Sequence, residues 1–133
     1  MSRKMAREGA FKLIYQIPFH TEQDLESVME LFFLSDDGEK LDGKDKDYVG
    51  LTVKGCFSNL ESIDEKISAS LKNWTIDRIS KVNLSIMRLS LSEISYADVP
   101  FQVSINEAVE LAKKFSDDDA LSFVNGVLAD ILK

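Results

Sequence analysis

Ile79-Ser80-Lys81-Val82-Asn83-Leu84-Ser85-Ile86-Met87-Arg88-Leu89-Ser90-Leu91-Ser92-Glu93-Ile94 repeats its apolar side chains at helical spacing. Val82, Ile86, Leu89 and Glu93 fall on adjacent turns, and Leu84, Met87 and Leu91 widen the stripe. An arc that broad suits a helix covered by neighbours on several sides, so this segment is expected to be the central helix of a bundle. Arg88 and Glu93 lie on it five residues apart, too far for an intrahelical pair, and are expected to reach neighbouring helices.

The same period extends in both directions. Residues 3–17 bring Ala6, Ala10, Leu13, Ile14 and Ile17 onto one side, and Pro18 ends that helix because it cannot donate the next backbone bond. Residues 22–34 repeat the pattern with Leu25, Val28, Met29, Phe32 and Phe33. Gly and Asp content makes residues 35–44 a loop, and Asp45 is then a suitable N-cap for a helix carrying Tyr48, Val49, Val53 and Cys56. Another helix follows Asn59, with Leu60, Ile63, Ile67 and Leu71 on one face. Downstream of the central helix, Pro100 interrupts the pattern and Ser104-Ile105-Asn106-Glu107 reads as a capping box for the next helix. Asp117-Asp118-Asp119 places acid at the start of the last, which carries Leu121, Val124, Val127, Leu128 and Ile131. No segment alternates with period two. The expected fold is all-α, a compact bundle of about seven helices forming one domain over residues 1–133.

Composition limits what such a bundle can be. The chain has 133 residues, 44% apolar and 29% charged, which is enough for a real core without a disulfide or metal. The one cysteine, Cys56, fits a reducing cytosol, so a cytoplasmic location is expected. No apolar run approaches a membrane span, and the basic N-terminus leads into no signal-like apolar region. The formal charge of −7 is unevenly distributed. Arg3, Lys4, Arg7 and Lys12 make the first fifteen residues net basic, whereas residues 21–50 hold ten acids against three bases. RNA contact is therefore expected only at a local basic patch, and the acidic remainder suits a basic protein partner.

Catalytic chemistry finds no foothold. His20 and Cys56 lack a recognisable orienting third group, and read as a loop histidine and a core thiol. There is no dinucleotide-binding, P-loop or zinc-protease pattern. Counting a calcium loop around Gly43 puts Gly38 and Lys40 where oxygen ligands belong. Neither enzyme activity nor a cofactor nor a metal is expected. Arg3, Lys4 and Arg7, by contrast, fall three and four apart and should point to one side of the first helix. Phe123 has two readings: packing with Val124 and Val127, which its spacing favours, or presentation to an unpaired base. Asn106, Glu107 and Asn125 read as a cap and buried polar ties.

The segment Pro100-Phe101-Gln102-Val103-Ser104-Ile105-Asn106-Glu107-Ala108-Val109-Glu110-Leu111-Ala112-Lys113-Lys114-Phe115, with Phe123-Val124-Asn125-Gly126-Val127-Leu128, resembles the signature of the NusB family. Arg88 to Ile94, Ala6-Arg7-Glu8-Gly9-Ala10 and Leu13-Ile14-Tyr15-Gln16 look like the rest of it, in the right order. The resemblance implies a small helical bacterial factor for transcription antitermination, not an enzyme. It implies pairing with the small-subunit ribosomal protein that acts as NusE. The pair would bind single-stranded boxA RNA in nascent ribosomal RNA leaders and join the elongating RNA polymerase complex. Carried over by position, Arg3, Lys4 and Arg7 are implied RNA-binding residues, Asp119 and Phe123 lie near the bound RNA, and Tyr15 lies close to that surface. A protein adaptor with little RNA binding is one alternative. An RNA-binding module like those fused to ribosomal RNA cytosine methyltransferases is another, set against by the lack of a methyltransferase domain after Lys133. A homodimer burying the basic first helix also stays open.

Overall fold

The computed structural model describes residues 2–72 and 74–133. They form eight α-helices and two single 3-10 turns, with no strand among them. In chain order these are α1 (Ser2–Gln16), a 3-10 turn (Ile17–Phe19), α2 (Glu22–Leu34), α3 (Asp36–Glu39), α4 (Gly43–Ser58) and α5 (Leu60–Ala69). A second 3-10 turn (Ile76–Arg78) precedes α6 (Lys81–Tyr96), α7 (Phe101–Phe115) and α8 (Asp119–Leu132). The expected seven longer helices are all present, and α3 is additional.

The broad apolar arc of α6 has the consequence its sequence implies. Ile86, Met87 and Leu89 are buried, and α1, α4, α5, α7 and α8 all pack against this helix. Arg88 reaches across to α5, donating twice to Asp64 at 2.9 and 2.7 Å, and Glu93 reaches α1 and α4. The two residues thus tie neighbouring helices, as their spacing suggests.

Several local expectations are corrected. The segment expected as a loop over 35–44 contains α3, because the Ser35 hydroxyl accepts from the Gly38 N–H and acidic residues fill the first turn. Gly38 is there for space: a Cβ would lie 2.0 Å from the Phe32 carbonyl oxygen. Asp45 is not the cap of α4. Asp42 takes that role, accepting from the Asp45 N–H at 2.8 Å, while Asp45 itself is buried inside the first turn. Finally, α7 starts at Phe101, since Pro100 enters with φ −60° and ψ 140° and delivers the chain directly into helix. Ser104 therefore sits inside α7, buried, with its hydroxyl 2.7 Å from that of Ser90. Asn106 and Asn125 are exposed rather than buried ties, whereas Glu107 does pair, with Arg7.

Cys56 is fully buried at the α4–α6 contact region, and burial pushes its thiol up to about 11. A folded-state pKa above the unfolded value stabilises the protein below the unfolded pKa and is lost as pH rises through the folded one. Two pKa units correspond to on the order of 2–3 kcal/mol. The melting temperature is expected to fall between pH 9 and 11, with Tyr48, also raised by burial and by Glu93, adding to the loss above pH 10. Melting curves of the wild type and Cys56→Ala across this range check it: equal slopes below pH 10 would remove Cys56 as the source.

Candidate nucleic-acid interface

The N-terminal cations do not share one exposed face. Helical rotation carries Arg7 inward with Ala6 and Ala10, and its side chain is only 7% exposed. Its Nε donates to Glu93 Oε1 at 2.9 Å, and its Nη1 lies 3.5 Å from Glu107 Oε1. The Tyr48 hydroxyl donates to the same Glu93 oxygen. Burial alone would lower the Arg7 pKa, but its interactions with Tyr48, Glu93 and Glu107 more than offset this, and the net shift is upward. Arg3 is half-exposed, with Nε 2.8 Å from Asp45 Oδ1 and its guanidinium 4.3 Å from the centre of the Tyr48 ring. Lys4 is exposed and, among the described residues, makes no ion pair.

Lys4 and Arg7 border a recess of about 200 Å³ between α1 and α7, together with Glu8, Glu110 and Lys113. Its charges largely neutralise one another: Lys114 holds Glu8 at 2.8 and 2.9 Å, and Lys113 holds Glu110 at 3.2 Å. Further along α1, exposed Lys12 lies 5.9 Å from the centre of the Phe115 ring, which itself packs on Phe11. Tyr15, on the last turn, is 37% exposed.

Asp119 and Phe123 come together at a second recess. Asp118 stands at the N-cap of α8 without a side-chain bond to the helix. Asp117, one residue earlier, accepts from the Ala120 N–H through Oδ1 at 3.1 Å, and the Asp119 carboxylate is exposed on the first turn. One turn later, half-buried Phe123 lines an open recess of about 270 Å³ with Asp119, Trp74, Arg78 and Asn83. The Ser116 hydroxyl donates to Asn83 Oδ1 at 2.8 Å, fixing the α7–α8 corner against the first turn of α6. Phe123 is thus packed on one part against the core and open on another to the recess. A recess of this size with one ring in its wall, a 57% exposed indole and a guanidinium can take a planar, hydrogen-bonding group. Sequence reasoning missed Trp74, Arg78 and Asn83. The lone tryptophan in a polar connecting segment was the available signal.

A model of the NusB family matches residues 4–133. The chain is 46% identical over 132 residues to transcription antitermination protein NusB of Natranaerobius thermophilus, covering 98% of this chain and 94% of that protein. To its counterpart in Clostridium botulinum (strain Loch Maree) it is 43% identical over 141 residues, covering 99% and 100%. Among solved structures, T. maritima NusB superposes with a TM-score of 0.83 at 34% identity, covering 97% of this chain and 89% of that one. A structure of the antitermination factors NusB and NusE in complex with double-stranded RNA gives 0.79 at 28% identity, covering 98% and 95%. The all-helical fold is therefore that of NusB structures. This chain belongs to the NusB family.

Proposed function

We propose that this protein is a transcription antitermination factor that pairs with a NusE-type small-subunit ribosomal protein. The pair binds boxA-type single-stranded RNA in nascent ribosomal RNA and reaches the elongating polymerase through that complex. Family membership over nearly the whole chain supports the reading, and one observation carries it to a site: Phe123 and Asp119 share an open recess with Trp74 and Arg78. A half-buried ring facing a recess can stack only on a base released from its neighbours, which favours single strands over a duplex. Arg3, Lys4 and Lys12 supply phosphate contacts along α1, and Tyr15 extends that surface. Arg7 belongs to the same end of α1, but its buried ion pairs make it a support for Arg3 and Tyr48 rather than a free cation.

Three phosphate contacts on a single strand would give a salt slope of roughly −2. With Arg7 engaged inside, Arg3 and Lys4 alone would give roughly −1.4, with Lys12 restoring the difference. The same pairing favours the adaptor as a second reading, since little positive charge on α1 is unneutralised. Fluorescence anisotropy of labelled boxA-type RNA, a scrambled RNA and a boxA duplex separates the two. It is run with and without the NusE-type protein at two salt concentrations. The antitermination reading expects selective single-strand binding that tightens with the partner. Equal, weak binding to all three RNAs beside a stable protein–protein complex would leave the adaptor.

A further inference from the structure

The outer face of α2 is the least accounted-for surface of the molecule, and no residue of α2 or α3 lines either recess described above. Leu25 and Met29 are buried, and Val28, Phe32 and Phe33 pack against the core beside them. Leu31 and Leu34 lie one turn apart on the opposite side, 68% and 71% exposed, above every other large apolar side chain described. Helical geometry sets Asp24, Glu26 and Glu30 around them. Between residues 22 and 39 there are seven carboxylates and no lysine or arginine. All seven are exposed, and none makes an ion pair among the described residues. Elsewhere seven of the sixteen carboxylates, Glu8, Asp45, Asp64, Glu93, Glu107, Glu110 and Asp130, face a cation of this chain, and basic residues are interspersed among the rest, so residues 22–39 stand apart as an acidic stretch with no cation in it.

A solvated acidic helix needs no leucine on its most exposed line, and a single exposed leucine would carry no meaning. Two on adjacent turns inside a ring of unneutralised carboxylate have the layout of an apolar anchor with a polar rim. The charge names the occupant. RNA is repelled, and a second copy of this chain would set like charge against like across a two-fold contact. We propose that the Leu31–Leu34 face of α2 docks a lysine- or arginine-rich segment of another protein, whose apolar side chains sit on the two leucines. This surface is separate from the RNA recess and stands independently of the RNA-binding reading.

The test uses the isotope-labelled full chain and a synthetic amphipathic lysine–leucine peptide, with a lysine–serine peptide of equal charge as control. The expected amide shifts are concentrated in residues 22–39, and binding weakens as salt is raised. Leu31→Ser with Leu34→Ser should weaken the lysine–leucine peptide roughly tenfold or more. Both side chains are exposed, so circular dichroism should stay unchanged. Shifts centred on another surface overturn the proposal. So do equal binding of both peptides by wild type and variant, and self-association through these residues without peptide, which would make the occupant a second copy.

Discussion

Arg7→Met is expected to destabilise the fold by about 3–5 kcal/mol, because it strands the buried Glu93 carboxylate without its cation. Glu93 is 1% exposed and takes the Arg7 guanidinium and the Tyr48 hydroxyl on one oxygen. The phenol remains after the substitution, but a single neutral donor does not balance a buried charge. For a chain of this size the loss corresponds to a fall in melting temperature of roughly 10–20 °C. Arg7→Lys should not rescue it, since a point-like ammonium cannot satisfy Glu93 and Glu107 while lying 5.6 Å from the Tyr48 ring centre. The double variant Arg7→Met with Glu93→Leu should recover most of the loss, because the cost lies in the unpaired charge. Urea unfolding of the three variants checks this. A loss below about 1 kcal/mol in Arg7→Met would mean that water or another group replaces the guanidinium, and the supporting role given to Arg7 would go with it.

Phe123→Ala is expected to weaken binding of boxA-type RNA by roughly 5- to 150-fold, the 1–3 kcal/mol of one base stacked on an aromatic ring. Phe123→Tyr should keep most of it, and Val124, Val127 and Leu128 hold α8 in place in both variants. The salt dependence distinguishes this role from a phosphate contact. Phe123→Ala should leave the slope unchanged, whereas Lys4→Ala should reduce its magnitude by about 0.7. Anisotropy titrations at several salt concentrations read both quantities. Unchanged affinity in Phe123→Ala, with the helical spectrum intact, would empty the recess of its proposed ligand. An equal loss for single-stranded and duplex RNA would instead point to a ring that shapes the backbone and not to a stacking platform.

Much of this architecture was legible in local patterns. The helices α1, α2, α5, α6 and α8 follow from apolar residues recurring every three to four positions, and Pro18 ends α1 where a missing N–H requires it. Boundaries resting on competing caps were harder. Asp42 and Asp45 are both good N-caps in isolation, and only the burial of Asp45 against Arg3 selects between them. Ser104 and Glu107 have capping-box spacing, yet Pro100 starts the helix a turn earlier and Ser104 turns to Ser90 on α6. Glycine at position 38 signalled a loop, whereas the approach of the α2 backbone is what excludes a side chain there.

The candidate site divides along the same line. By itself the sequence determined the all-helical class, the family, the basic character of α1 and the acidic character of the rest, because period, composition and motif spacing are properties of neighbouring residues. It also marked Asp119 and Phe123. Only the tertiary structure decided that Trp74 and Arg78 join those two, and that Arg7 turns away from Lys4 into the core. Arg7 and Glu93 are 86 residues apart in the chain, as Arg3 and Asp45 are 42 apart. Whether a cation meets water or a buried carboxylate depends on which helix the bundle packs beside it, and no local pattern encodes that choice.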